Sequence, residues 1–189
     1  MPQTLRTLLV ERAARLQGRP ALRAPGLEPL DYLGLRRKVE GIALGLLALG
    51  PPPVVHAATG TPWDWLAEVA AAACGLPWDP AGTIPAEVLG GDAFNAEAGR
   101  GPYHAREARV LEDTPFAPGL GQGEVLGRLR ALNRTLGWDH ETRLTLPLGA
   151  LGTPGVRAAL WSALYAGAAV DLAPSAPFDP GPFSRFWVP

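Results

Sequence analysis

The chain has 189 residues, 17 basic and 18 acidic side chains, a formal net charge of -1 and a single cysteine. This length supports one domain with a substantial core, the balanced charge argues against nucleic-acid and anionic-membrane partners, and Cys74 alone excludes an internal disulfide or a multi-cysteine metal site. The apolar run 42–49 falls well short of the ~18 to 20 residues of a membrane helix, and the run 5–10 meets charge too soon for a secretory signal, so a soluble cytoplasmic protein is expected.

From the N-terminus, 4–17 reads as a helix with Leu5, Leu8, Leu9, Ala13 and Leu16 on one face, stopped by Gly18 and Pro20. Residues 21–23 and 28–30 read as two short strands around the Pro25-Gly26 turn. Asp31 is placed to cap a helix over 32–49 whose second half is nearly all apolar. After three prolines, 54–58 reads as a buried strand; Thr61 and Pro62 then open an alanine-rich helix to Cys74, which Gly75 closes before a short strand at 76–78. That is a β-α-β unit, which argues for a parallel sheet.

Residues 85–89 suggest a short helix and 108–111 a short strand. A helix over 124–136 carries Val125, Leu129, Leu132 and Leu136 on one stripe, and 143–148 alternates as a strand with one covered face. Thr153 and Pro154 start a helix to about Tyr165, Gly167 ends it, and 168–172 form another strand, giving a second β-α-β unit. The expected architecture is a single α/β domain over 1–189: N-terminal helices and hairpin at 1–50, a β-α-β core at 51–172 and an irregular tail at 173–189, the sheet mostly parallel with helices on both faces.

Three stretches, read together, carry a resemblance: "TLRTLLVERAARLQGRPALRAPGLEPLDYLGLRRKVEGIALGLLALG", "VVHAATGTPWDWLAEVAAAACGLPWDP" and "GEVLGRLRALNRTLGWDHETRLTLPLGALGTPGVRAALWSALYAGAAVDLAP". In this order they resemble the N-terminal portion of AMP-forming acyl-CoA synthetases and adenylation domains. The resemblance implies an ATP-dependent ligase fold whose phosphate loop ends in Pro-Lys-Gly. Here the matching stretch is "TPFAPGLGQGE", with no lysine, no serine and only Thr114, and Lys38 is the only lysine in the chain.

Backbone amides at a helix start attract anions, which makes Gly119, Gly121, Gln122 and Gly123 the anion-loop candidates. Glu124 opposes that reading by already occupying the favourable end of the helix dipole. The position where a dinucleotide fingerprint needs a third glycine is also Glu124, so a turn is favoured over a phosphate site. Fewer than twenty residues follow the 168–172 strand, which leaves no room for the family's later ATP-binding and adenylation motifs.

No catalytic residue is assigned. His56, His104 and His140 lack metal-site spacing, and Ser162, Ser175 and Ser184 lie outside any nucleophile elbow. Cys74 reads as a buried small residue, Asp64 and Glu68 as solvated helix charges, and Trp63, Trp65 and Trp78 as packing against small residues. The expected function is that of a shortened, catalytically incompetent relative that needs no cofactor and binds a partner or a small acyl-type ligand. Truncation is expected to expose apolar surface on the 32–49 helix or around Trp161 and to drive homodimerisation or binding to a second subunit. The alternative is an acid-CoA ligase using ATP-Mg and CoA, completed by a second polypeptide.

Overall fold

The computed structural model describes residues 2–48, 59–78 and 109–188. Helix α1 (Leu5–Leu16) starts from Thr4, whose hydroxyl accepts from the Thr7 amide at 3.1 Å while the Thr7 hydroxyl accepts from the Thr4 amide at 2.9 Å. This reciprocal cap satisfies two of the orphan donors of the first turn. The chain then forms the hairpin β1 (Pro20–Ala24) and β2 (Leu27–Asp31), turning at Gly26 with φ +73°. Asp31 does cap α2 (Tyr32–Ala48): its Oδ1 accepts from the Gly34 amide at 2.6 Å.

Helix α3 (Trp63–Cys74) is buried at every position from Asp64 to Cys74. Its alanines bring it close to α2, and Gly75 ends it in the left-handed conformation at φ +69°. Further on come the small hairpin β3 (Pro115–Ala117) and β4 (Leu120–Gly121), then α4 (Gln122–Leu136), β5 (Arg143–Pro147), α5 (Pro154–Ala166) and β6 (Ala169–Ala173). Among the described residues a four-stranded sheet runs β2-β1-β6-β5, with β1 and β5 both parallel to β6 and only the β1-β2 pair antiparallel.

The chain is therefore α/β with a mainly parallel sheet and helices, as its pattern predicted. Register decides which side chains share a face of the sheet, because alternate residues of a strand point to opposite sides. Leu22 and Leu144 pair with Val170, and Leu146 with Leu172, making the inner row. Arg23 and Thr145 pair with Asp171 in the alternating row, where both of the flanking residues are exposed.

The core centres on Trp161, which is 0% exposed and meets Trp65 edge-on at 5.0 Å and Phe116 edge-on at 5.5 Å between ring centroids. Ile42, Ala43, Leu44 and Leu46 of α2 are buried as well. The apolar exposure expected on α2 and around Trp161 is largely missing among the described residues: α3 and α1 cover the second half of α2, the aromatic cluster encloses Trp161, and on α2 only Leu33 in the first turn is left exposed. Large exposed hydrophobics among the described residues are Leu33, Leu111 and Val188, scattered rather than contiguous in sequence.

Other local expectations differ from the structure. Among the described residues, 76–78 pair with no strand of the four-stranded sheet; Trp78 forms a single bridge, and its amide donates to Phe116 O at 2.7 Å, within β3. Residues 109–111 are turn and coil, with Val110 buried against Gly75. The strand expected at 54–58 and the helix at 85–89 lie outside the described residues, as do His56 and His104. No helix among the described residues is long and apolar enough to cross a membrane.

Candidate functional site

The glycine-rich stretch folds as a tight hairpin feeding a helix. Gly119 takes φ +72° at the turn, Ala117 pairs with Leu120, and Pro115 with Gly121. Two helix-start amides already have acceptors: Gln122 N donates to Thr114 O at 3.0 Å and Gly123 N to Glu112 O at 2.8 Å. A Cβ on Gly121 would stand 3.0 Å from Glu112 O, and one on Gly123 would stand 2.9 Å from Glu112 Cβ. These two glycines therefore serve a close approach of the 112–113 segment.

Gln122 is 0% exposed, and its side chain joins three elements. Its Oε1 accepts from the Leu5 amide at 3.0 Å, an orphan donor at the start of α1, while its Nε2 donates to Ala72 O at 2.7 Å in α3. The Glu124 carboxylate at the start of α4 is exposed and accepts from Arg128 Nη2 at 2.8 Å, one turn on.

Asp64 and Glu68 are not solvated. Asp64 is 6% exposed and accepts from the Thr59 and Gly60 amides at 3.1 and 2.9 Å and from the Thr59 hydroxyl at 2.6 Å, tying the loop before α3 to the helix start. Glu68 is 2% exposed and accepts from Arg157 Nε at 3.0 and 3.1 Å, Arg157 Nη2 at 2.8 Å and Trp161 Nε1 at 2.9 Å. The Arg157 guanidinium also lies 4.5 Å from the Trp187 ring centroid and 5.8 Å from that of Trp78. A carboxylate and a guanidinium whose hydrogen bonds are met this fully form a packing element. Residues 68 and 157 are 89 apart in sequence, so no local pattern announces the pair.

A groove of about 500 Å³ opens at the carboxyl ends of the parallel strands, beside Pro147 and the start of α5. Ala150, Pro154, Val156, Phe178 and Pro180 give it an apolar wall. Its hydroxyls are engaged locally: Thr153 donates to Ala150 O at 2.8 Å and Ser184 to Gly181 O at 3.0 Å. The tail forms one side, with Phe178 and Pro180 close enough that a Cβ on Gly155 would stand 3.2 and 3.1 Å from them. The Arg128 guanidinium donates to Phe186 O and Val188 O, and Trp187 Nε1 donates to Pro154 O at 2.9 Å, fixing the tail on α4 and α5. In open α/β sheets the carboxyl ends of the strands are where ligands bind. This groove can enclose an apolar body, but it presents no nucleophile paired with a base.

The perturbed titrating groups lie elsewhere, in packing roles. Burial pushes the Tyr32 phenol above its ordinary range, against the opposing pull of Arg12, and its hydroxyl donates to Ala168 O at 2.8 Å. Burial also lowers the Arg12 guanidinium, with Arg15 adding to the effect, where Arg12 donates to Tyr165 O at the carboxyl end of α5. Exposed Asp139 is lowered chiefly by the hydrogen bond from the Glu141 amide. Among the described residues no group of three or more His, Cys, Asp or Glu side chains could hold a metal ion. Cys74 is buried and donates to Ala43 O at 3.5 Å.

No family model and no curated protein matches the sequence. Solved structures do match the fold. The chain is similar to the NpsA N-terminal subdomain of Klebsiella oxytoca in complex with 3-hydroxyanthranilyl-AMSN, with a TM-score of 0.61 and 14% identity over 97% of this chain and 57% of that one. It is also similar to the fatty acyl-adenylate ligase of L. pneumophila in complex with acyl adenylate and pyrophosphate, with a TM-score of 0.65 and 14% identity over 92% of this chain and 40% of that one. A third likeness is to the nonribosomal peptide synthetase FmoA3, with a TM-score of 0.63 and 17% identity over 98% of this chain and 25% of that one. The fold is thus that of the N-terminal subdomain of adenylate-forming enzymes, and the chain spans between a quarter and just over half of these structures.

Proposed function

We propose that this chain uses an adenylate-forming fold to bind a small acyl-type ligand or a protein partner without activating a substrate with ATP. The observation that carries this reading is the loop before α4, where Glu112 O and Thr114 O take the amides of Gly123 and Gln122. A triphosphate held there would need donors that are already engaged, and it would meet Glu124 at the helix end that favours anions. The ligand site in this reading is the groove beside Pro147 and Val156, whose volume lies within the ~300 to 1,000 Å³ range of small-molecule pockets.

The proposed partner is a second copy of the chain or a separate subunit. Because the second half of α2 and Trp161 are buried, such association would use surface other than theirs. The competing reading, an acid-CoA ligase completed by a second polypeptide, draws on the fold and on the 57% coverage of the NpsA subdomain. In that case the second chain would supply the phosphate-binding groups as well as the remaining fold.

The test is an NMR titration with octanamide, a neutral probe with an eight-carbon acyl chain. Saturable shifts at Val156, Phe178 and Ser184, lost in Ala150→Trp, are expected. Absence of any shift around α5 at the solubility limit of the probe would overturn the ligand assignment.

A further inference from the structure

A second groove, of about 460 Å³, lies at the opposite end of the parallel strands, between the sheet and the first turns of α2. Leu22, Leu30, Leu33 and Val170 contribute its apolar lining, and Leu33 is one of the few large hydrophobics left exposed among the described residues. Three arginines border the same space: Arg23, Arg37 and Arg143. They arrive from three different elements: β1, α2 and β5.

The charges in this groove are not balanced. Arg23 stands 3.9 Å from Asp171, a loose pair in which both side chains are at least half exposed. Asp31, the other acidic residue of the lining, gives Oδ1 to the Gly34 amide at the start of α2, so its charge is already committed to the helix end. The side chains of Arg37 and Arg143 make no ion pair or hydrogen bond among the described residues. Two exposed arginines therefore border a groove whose wall is partly aliphatic, and neither has a counter-charge of its own.

We infer that this groove is a binding site for a compact organic monocarboxylate, its carboxylate engaged by Arg37 and Arg143 and its apolar body set against Leu30 and Leu33. The planar fork of arginine matches a carboxylate through two parallel hydrogen bonds, which selects this anion over a neutral isostere. The aliphatic lining favours a ligand with an apolar body over a bare inorganic ion. Asp171 sets the charge limit: with this carboxylate in the wall, a polyphosphate or dicarboxylate would meet repulsion that a single negative charge largely escapes. The site is separate from the groove beside α5 and does not depend on the function proposed for that groove.

Benzoate is the probe, titrated into the ¹⁵N-labelled chain at constant ionic strength, with benzamide and inorganic phosphate as parallel arms. Saturable benzoate shifts are expected at Leu33, Gly34, Val170 and Asp171, with benzamide and phosphate each at least about tenfold weaker. The double substitution Arg37→Glu/Arg143→Glu should weaken benzoate by at least about tenfold while leaving the thermal midpoint nearly unchanged, since both side chains are exposed. Equal binding by the double variant would overturn the assignment, as would phosphate matching benzoate, shifts confined to Val156 and Ser184, or no shifts at all.

Discussion

Replacing Gln122 with alanine separates a structural clamp from an anion-loop residue. The side chain is wholly buried and holds the Leu5 amide at 3.0 Å and Ala72 O at 2.7 Å. Ala72 O also accepts from the Gly75 amide at 3.1 Å, so it keeps a partner in the variant. The Leu5 amide keeps none from Gln122, and the loss therefore concentrates there. Losing the bond to Ala72 O costs about 1 kcal/mol and stranding the buried Leu5 amide about 1–3 kcal/mol, so Gln122→Ala should lower stability by about 2–4 kcal/mol. For a chain of this size that corresponds to a fall of roughly 4–16 °C in the thermal midpoint. Gln122→Met keeps most of the volume and removes both bonds, so it isolates the hydrogen-bond share from the cavity. Urea unfolding followed by far-UV circular dichroism measures all three proteins. A Gln122→Ala loss within about 0.5 kcal/mol of zero, the level of an inert surface change, would refute the clamp and return Gln122 to the pool of ligand-facing residues.

Glu68→Ala should cost about 3–5 kcal/mol because it leaves the Arg157 guanidinium buried without its carboxylate, whereas Glu68→Leu combined with Arg157→Met should recover most of that loss; chemical denaturation of the single and double variants reads both. Gly123→Ala should destabilise by about 1–3 kcal/mol through its clash with Glu112, whereas Gly127→Ala in the same helix, where nothing lies within 4 Å, should stabilise by about 0.4–1 kcal/mol. Tyr32 predicts a pH effect. Its folded pKa is raised, so the native state keeps the proton after the unfolded chain releases it near pH ~10. The contribution is fully present below that pH and is lost above it at about 1.4 kcal/mol per pH unit, until the folded group also ionises. Stability measured from pH 8 to 11 should therefore fall more steeply in the native chain than in Tyr32→Phe.

Much of the fold was readable from local chemistry. Gly18 with Pro20, Gly75 and Gly167 end their helices within a residue or two of the expected positions, and Asp31 caps α2 as its placement predicted. The 3.6-residue stripe on α4 and the alternation of β5 mark elements whose burial follows directly from their period. What the sequence concealed depends on long-range contacts. Glu68 sits four residues from Asp64 on a helix that is buried all round, and only Arg157 and Trp161, about 90 positions away, show that its charge is compensated. In the same way "GLGQGE" looks open as text, and only the structure shows that Glu112 returns against Gly121 and Gly123. The three arginines of the second groove are scattered across β1, α2 and β5 and become neighbours only through the sheet order β2-β1-β6-β5.

Calorimetric titration of the isolated chain with ATP-Mg, with amide shifts followed in parallel, tests most directly whether the loop before α4 is closed to nucleotide. No saturable heat and no perturbation between Gly119 and Glu124 are expected. Saturable binding with shifts centred on Gln122 and Gly123 would contradict this, since those amides would have had to leave Thr114 O and Glu112 O to receive the nucleotide.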